Sequence, residues 1–122
     1  MVAYYKSVLE QDTSPVVICD LQHTILYMNP VAIAHYGRYG GEALLGRCLL
    51  DCHRPQSQKR ILEVIAWFAA DPTHNRIHTC YDEKQNLDLY MVALRNQQGQ
   101  LIGYYEQQIS RNRDISAFYC YE

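Results

Sequence analysis

Apolar residues recur at helical spacing in two segments of the chain. Residues 3–11 predict a short amphipathic helix that ends before Pro15. Its apolar face carries Tyr4, Tyr5, Val8 and Leu9. Residues 56–70 predict the main helix, because a broad apolar stripe runs opposite a charged face. This stripe consists of Ile61, Leu62, Val64, Ile65, Phe68 and Ala69.

Five other segments, rich in β-branched and aromatic residues, predict strands. Residues 16–20 and 24–28 flank a turn of three residues and are expected to form a hairpin. The later strands are expected at 76–82, 87–96 and 100–110. Short polar segments separate these three strands, which favours an antiparallel meander.

The segment between the two groups of strands is predicted to be helical. Asn29 followed by Pro30 is typical of an N-cap and the first position of a helix. Residues 42–54 offer two further short helical pieces. Two strands, several helices and three strands predict an α+β fold, with helices on one face of a five-stranded antiparallel sheet. The helix at residues 3–11 is expected to cap this fold from outside the core.

The length and the net charge of the chain limit the kinds of protein that it can be. A chain of 122 residues with 48% hydrophobic residues forms one domain that can bury a core. Its net charge of −2 provides no broad basic surface, so we expect no direct binding to nucleic acid. Eighteen apolar residues never occur in succession. We therefore expect a cytoplasmic protein without a membrane segment.

Two cysteines and a histidine lie close together and could suggest a metal site. Cys48 and Cys52 would share a face of one short helix, while His53 would be rotated about 100° from Cys52. A fourth ligand would have to come from Cys80 or His78 in the third strand. We therefore predict no metal site. The odd number of cysteines, five, favours reduced thiols.

The segment "ILYMNPVAIAHYGRYGGEALLGRCLLDCHRPQS" resembles the PAS (Per-Arnt-Sim) family, as does the ending with Gly99 and Gly103. The resemblance covers roughly residues 3–116. Gln108 stands where many family members carry an aspartate. The matching motif residues are Tyr27, Met28, Asn29, Pro30, Tyr36, Gly37, Glu42 and Gly46.

The resemblance implies a sensory domain in signal transduction that regulates an unidentified partner, for example in transcription or kinase signalling. PAS domains hold a hollow between helices and sheet, filled by haem, flavin, a metabolite or side chains alone. They often dimerise through a helix before the first strand and through the outer sheet face. We expect a dimerisation helix at 1–15, the PAS core at 16–111 and an extension or linker at 112–122.

The strand and helix patterns indicate candidate residues for both surfaces. If Asp88 points outwards, alternate residues of the fourth strand form an apolar outer stripe. The expected homodimer interface comprises Tyr4, Tyr5, Val8, Leu9, Tyr90, Val92 and Leu94. The expected ligand pocket comprises Ile33, Tyr36, His53, Ile61, Ile65, Phe68, Thr79, Leu89, Met91 and Tyr104.

The sequence does not identify a cofactor. Cys48 falls where flavin-binding relatives carry an asparagine, and the groups that hold the flavin there are absent. Haem relatives usually ligate iron from the long helix, which here contains no histidine, although His53 directly precedes it. A haem or metal redox sensor and a ligand-free dimerisation module remain alternatives to a small-molecule sensor.

The sequence contains none of the common motifs that indicate an enzyme. A phosphate-binding glycine loop, a nucleophile elbow and histidines spaced for zinc are all absent from the sequence. We predict that the protein is not an enzyme. His23 and His35 are expected to be surface or capping residues.

Overall fold

The computed structural model describes residues 1–119, and these form helices and strands close to the predicted positions. The α-helices are α1 (Val2–Glu10), α2 (Pro30–His35) and α3 (Pro55–Ala70). Short 3₁₀ helices span Gly37–Tyr39, Gly41–Leu44 and Leu49–Cys52. The strands are β1 (Val17–Asp20), β2 (Ile25–Met28), β3 (Arg76–Asp82), β4 (Leu87–Arg95) and β5 (Leu101–Ser110).

The five strands form one antiparallel sheet in the order β2-β1-β5-β4-β3. The hairpin of β1 and β2 and the meander of β3, β4 and β5 therefore join where β1 pairs with β5. Asp20 lies opposite Gly103 at this junction. The predicted α+β architecture, with an N-terminal helix outside the core, is confirmed.

Helices α2 and α3 cover one face of the sheet and close the hydrophobic core. Phe68 of α3 and Ala32 of α2 are both 0% exposed. The buried cluster consists of Cys19, Ile25, Met28, Ala32, Leu44, Ile61, Val64, Phe68, Met91 and Tyr104. Within residues 1–119, none of the helices is long and apolar enough to cross a membrane.

Asn29 ties three segments of the chain together from a fully buried position. Its Oδ1 accepts hydrogen bonds from the backbone N–H of Val16 at 3.0 Å and of Ala32 at 2.9 Å. Its Nδ2 donates to the carbonyls of Leu9 and Ser14, both at 3.0 Å. The predicted N-cap of α2 is thus also the anchor of the segment that leads from α1 into β1.

The C-terminal residues continue past β5 without helix or strand in the part that the structure describes. Arg111 is tied back to Asp88 of β4, and Asn112 hydrogen-bonds Asn86 in the β3–β4 turn. Residues 120–122 of the predicted extension at 112–122 lie outside the described residues. The predicted boundaries at 15 and 111 stay predictions.

Candidate functional site: a cavity between the helices and the sheet

A cavity of about 310 Å³ lies between the inner face of the sheet and the helical segment. Ligand pockets of proteins typically measure about 300–1,000 Å³ and have apolar walls with a few polar groups. This one follows that pattern. Its lining residues are Pro15, Val17, Cys19, Ile25, Met28, Tyr36, Tyr39, Leu44, Leu49, Cys52, His53, Ile61, Met91, Tyr104, Glu106 and Gln108.

Strand β5 supplies three polar side chains to this cavity, because alternate residues of a strand face the same side. Tyr104, Glu106 and Gln108 all line it. Tyr105 and Gln107 fall between them and take the outer face of the sheet. The strand pattern predicted Tyr104 as a pocket residue but not Glu106 or Gln108, because a glutamate and a glutamine in a strand usually face solvent.

Glu106 is the acidic side chain among the residues that line the cavity. Its side chain is accessible to solvent, and the surrounding protein still displaces enough water to raise the pKa of the carboxyl group. A hydrogen bond from Gln108 and the nearby rings of His53 and His35 oppose the rise in pKa. The cavity therefore holds a carboxyl group whose charged form is less well solvated than that of a free glutamate.

His53 lies directly before α3 and is one of the residues that line the cavity. Its Nδ1 lies 2.9 Å from the carbonyl oxygen of Leu49. A carbonyl can only accept, so Nδ1 carries the proton and donates this bond. In the neutral ring Nε2 is then a hydrogen-bond acceptor.

Two tyrosines bring hydroxyl groups to the cavity walls. Burial, followed by the negative charge of Glu106, raises the pKa of Tyr36 to about 12. Burial, followed by the neighbouring Cys19, raises the pKa of Tyr104 well above its usual value. Burial also raises the pKa of the Cys19 thiol to about 11. These groups stay neutral near physiological pH and act as hydrogen-bonding partners.

His23 is buried, which contradicts the prediction that it is a surface or capping residue. The turn between β1 and β2 folds its ring against β5, where Nδ1 lies 2.8 Å from the hydroxyl oxygen of Tyr104. The backbone of His23 adopts φ 65° in this turn. His35 is exposed, as expected, and its ring meets Tyr36 edge-on at 4.7 Å.

Half of the predicted pocket residues border the cavity. These are Tyr36, His53, Ile61, Met91 and Tyr104. The other five lie outside its lining, namely Ile33, Ile65, Phe68, Thr79 and Leu89. Whether a ligand touches any of the ten stays a prediction.

The five predicted residues outside the cavity lining lie elsewhere for geometric reasons. Phe68 follows Ile61 by seven residues, about 10 Å along the helix axis, and so reaches the core beyond the cavity. Ile33 and Ile65 pack against the same core. The pairing of β3 with β4 is irregular between His78 and Cys80, and the half-buried hydroxyl of Thr79 there donates to the carbonyl of Leu89 at 3.1 Å.

The cysteines do not converge on a metal site. Cys48 lies in an extended segment that bridges to Thr24, before the 3₁₀ helix Leu49–Cys52 begins. The expectation that Cys48 and Cys52 share one helix face is therefore wrong. Cys52 is exposed and lies at the cavity edge. In residues 1–119, no three His, Cys, Asp or Glu side chains are grouped to hold a metal ion.

Helix α1 exposes the apolar face that the sequence assigned to a dimer interface. Tyr4 and Val8 are each 71% exposed, and Tyr5 is 62% exposed. Leu9 is half-buried, and its carbonyl accepts the bond from Asn29. The helix is thus anchored at its C-terminal end, while its apolar side remains open.

The outer face of β4 carries a mixed surface. The guanidinium of Arg76 lies 3.7 Å from the ring centre of Tyr90, and the ring of His78 stacks on Tyr90 at 4.8 Å. Val92 and Leu94 are half-buried. Long side chains of β3 therefore already cover part of the predicted apolar stripe.

The edge of the same surface is held by Asp88. Two hydrogen bonds of 2.7 Å join its carboxylate to Arg111, and Nε2 of His78 lies 2.9 Å away. The bond to Arg111 holds the pKa of Asp88 below its usual value. This arrangement fixes the start of the C-terminal segment against the sheet.

Comparison with known structures finds the same architecture in several bacterial proteins. A C-terminal domain from Streptococcus mutans is 15% identical, with a TM-score of 0.71 over 89% of this chain and 84% of the other. A PAS domain from Colwellia psychrerythraea is 15% identical, with a TM-score of 0.64 over 91% and 98%. The PAS domain of BvgS from Bordetella pertussis is 13% identical, with a TM-score of 0.65 over 92% and 87%.

The family assignment rests on the sequence as well as on the fold. No curated protein has a sequence that matches the chain. The family model described as "PAS fold" matches residues 9–115, which span the sheet, both core helices and the cavity. The chain therefore belongs to the PAS fold family.

Proposed function

We propose that this chain is a sensory PAS domain that binds a small organic molecule in the cavity. The cavity carries the proposal: about 310 Å³ enclosed by apolar side chains, into which Glu106, Gln108 and His53 project polar groups. A core that served only to stabilise the fold would gain from filling this space with side chains. The proposed role is signal transduction in the cytoplasm, without catalysis and without binding to nucleic acid or membrane.

Strand β5 offers a direct path from the cavity to the surface. Glu106 faces the cavity, and its neighbours Tyr105 and Gln107 face the outer side of the sheet, where Gln107 accepts a hydrogen bond from Arg76 at 3.1 Å. A ligand that binds one arrangement of β5 better than another would shift the population of both faces. We propose that this shift regulates an unidentified signalling partner.

The proposed signalling unit is a homodimer. The open apolar face of α1 supports this, because an uncovered patch containing Tyr4, Tyr5 and Val8 favours contact with another protein surface. A second copy of the same chain is the proposed partner, because it is always available where the first copy is. Regulation of transcription or of a kinase would then act through this dimer.

Native mass spectrometry of protein purified from cells tests ligand binding. The expected result is a bound small molecule that is released on denaturation. Replacing Ile61, which lines the cavity, with Trp fills the space and should abolish the bound mass. Leu62→Trp is the matched control, since Leu62 is the next residue and is 49% exposed. A wild-type chain without any bound mass would favour the ligand-free dimerisation module.

A haem sensor is the second candidate function, because His53 lines the cavity and its bond to Leu49 uses Nδ1 and not Nε2. An absorption spectrum of the same sample distinguishes the two. A Soret band that disappears in His53→Ala would favour haem over an organic ligand, whereas a spectrum without visible bands would remove the haem and flavin alternatives together.

A further inference from the structure

The cavity contains a carboxyl group that has no cationic partner. Glu106 is the one acidic side chain among the lining residues in the described part of the chain, and no lysine or arginine lines the cavity with it. The ion pairs found in residues 1–119 use Asp88 and Glu63. His53 and His35 attract the carboxylate from a distance without forming an ion pair with it.

An unpaired carboxylate in such surroundings has a strong preference for a nearby positive charge. The protein around Glu106 displaces part of its water and lowers the local dielectric, which raises the free-energy cost of its charged form. The same low dielectric strengthens its attraction to any cation that enters the cavity. A bound cation would thus recover the solvation that the carboxylate has lost.

The groups around Glu106 are also arranged to accept hydrogen bonds. Gln108 lies on the same face of β5 as Glu106 and brings to the cavity wall an amide group whose carbonyl oxygen can accept a hydrogen bond. Nε2 of His53 is an acceptor as well, since Nδ1 donates to Leu49. A ligand with several N–H groups would satisfy all of these atoms. The apolar walls are formed by Met28, Ile61 and Met91, among others.

We propose that the cavity recognises a small organic cation, an ammonium or amidinium group on an apolar body, with its N–H groups directed at Glu106. The inference deepens the proposed sensory function and rests on it. An anionic ligand would meet the charge of Glu106 without any lysine or arginine to offset it. A neutral ligand would leave the carboxylate unpaired.

Three probes of one shape test the inference by calorimetric titration of the full chain near neutral pH. These are benzamidine, benzamide and benzoate, which differ mainly in charge. Benzamidine is expected to bind at least about tenfold more tightly than benzamide, and benzoate more weakly than both. Glu106→Gln should reduce benzamidine affinity to that of benzamide. Glu83→Gln, the same change at an exposed turn residue, should leave all three affinities unchanged.

The comparison of the three probes on the unmodified chain does not depend on how the variants fold. Benzamide or benzoate binding as tightly as benzamidine would refute a cationic ligand and leave ligand binding intact. If no probe binds at millimolar concentration, the charge of the copurified molecule decides: a cation supports the inference, and a neutral or anionic molecule overturns it. No probe binding together with no copurified molecule would overturn both proposals.

Discussion

His23 and Tyr104 form a buried hydrogen bond of 2.8 Å, although they are 81 positions apart in the chain. Tyr104→Phe should destabilise the fold by about 1–3 kcal/mol, because it leaves a ring nitrogen of His23 buried without a partner. Urea unfolding measures the loss. Tyr105→Phe is the control on the opposite face of β5 and should change stability by less than about 0.5 kcal/mol. Equal losses in the two variants would contradict this account.

Asn29→Ala should be among the most damaging single substitutions in the chain. The change removes four hydrogen bonds and leaves the N–H groups of Val16 and Ala32 buried without acceptors. The expected loss in the free energy of unfolding is about 3 kcal/mol or more. Asn112→Ala, at an exposed position, should cost less than about 0.5 kcal/mol. A small effect at Asn29 would show that water replaces its side chain.

Gly103 permits the close approach of β5 to β1. A Cβ atom at this position would overlap the carbonyl oxygen of Cys19, which belongs to the rigid backbone of β1. Gly103→Ala should therefore cost more than about 2 kcal/mol of stability, measured by thermal or urea unfolding. At Gly37 an added Cβ meets nothing within 4 Å, so Gly37→Ala should stay within about 1 kcal/mol of wild type. Similar effects of the two changes would refute the packing argument.

The raised pKa of Glu106 predicts a pH-dependent contribution to stability. The folded chain keeps the Glu106 proton to higher pH than the unfolded chain, so the contribution is full below the ordinary glutamate value of 4.5 and is lost as pH rises through the raised value. Glu106→Gln should therefore become progressively more stable relative to wild type as pH increases across this interval.

Urea unfolding of both proteins at several pH values measures the difference. The titratable groups that share an electrostatic interaction with Glu106 are His53, His35, Tyr36 and Cys80, and they are present in both proteins. Glu83→Gln provides the control for loss of one exposed carboxylate. A stability difference between wild type and Glu106→Gln that does not change with pH would mean that Glu106 is as well solvated as a surface glutamate.

The open face of α1 predicts a charge-sensitive dimer. Val8→Lys places an ammonium group within the apolar patch and should raise the dimer dissociation constant by at least about tenfold. Ser7→Lys adds the same charge to the neighbouring exposed position and should have a smaller effect. Light scattering coupled to gel filtration over a range of concentrations measures both. A dimer that tolerates Val8→Lys would remove α1 from the interface.

Local sequence patterns predicted most of the fold because each element carries its own signal. The apolar stripe placed a helix at 56–70, and α3 spans Pro55–Ala70. Alternation and polar turns placed the last strand at 100–110, and β5 spans Leu101–Ser110. The motif around Asn29 predicted the start of α2 and the family itself.

The site was harder to predict because it depends on contacts between distant segments. Glu106 breaks the apolar pattern of a core-facing strand, so its inward orientation could have been found only by continuing the phase of Tyr104 along β5. The burial of His23 requires a partner in β5 that no local pattern identifies. Thr79 was misplaced because the irregular pairing of β3 with β4 has no clear sequence signature.

Strand β5 separates two surfaces by the thickness of a single polypeptide chain. Substitutions at positions 104, 106 and 108 change the wall of the cavity. Substitutions at positions 105 and 107 change the outer face of the sheet. Point substitutions at successive positions therefore change different faces of the sheet and can be made independently. A one-residue insertion after Tyr105 that kept the strand regular would turn the residues at 106 and 108 to the outer face, whereas a β-bulge would absorb the extra residue and preserve both faces.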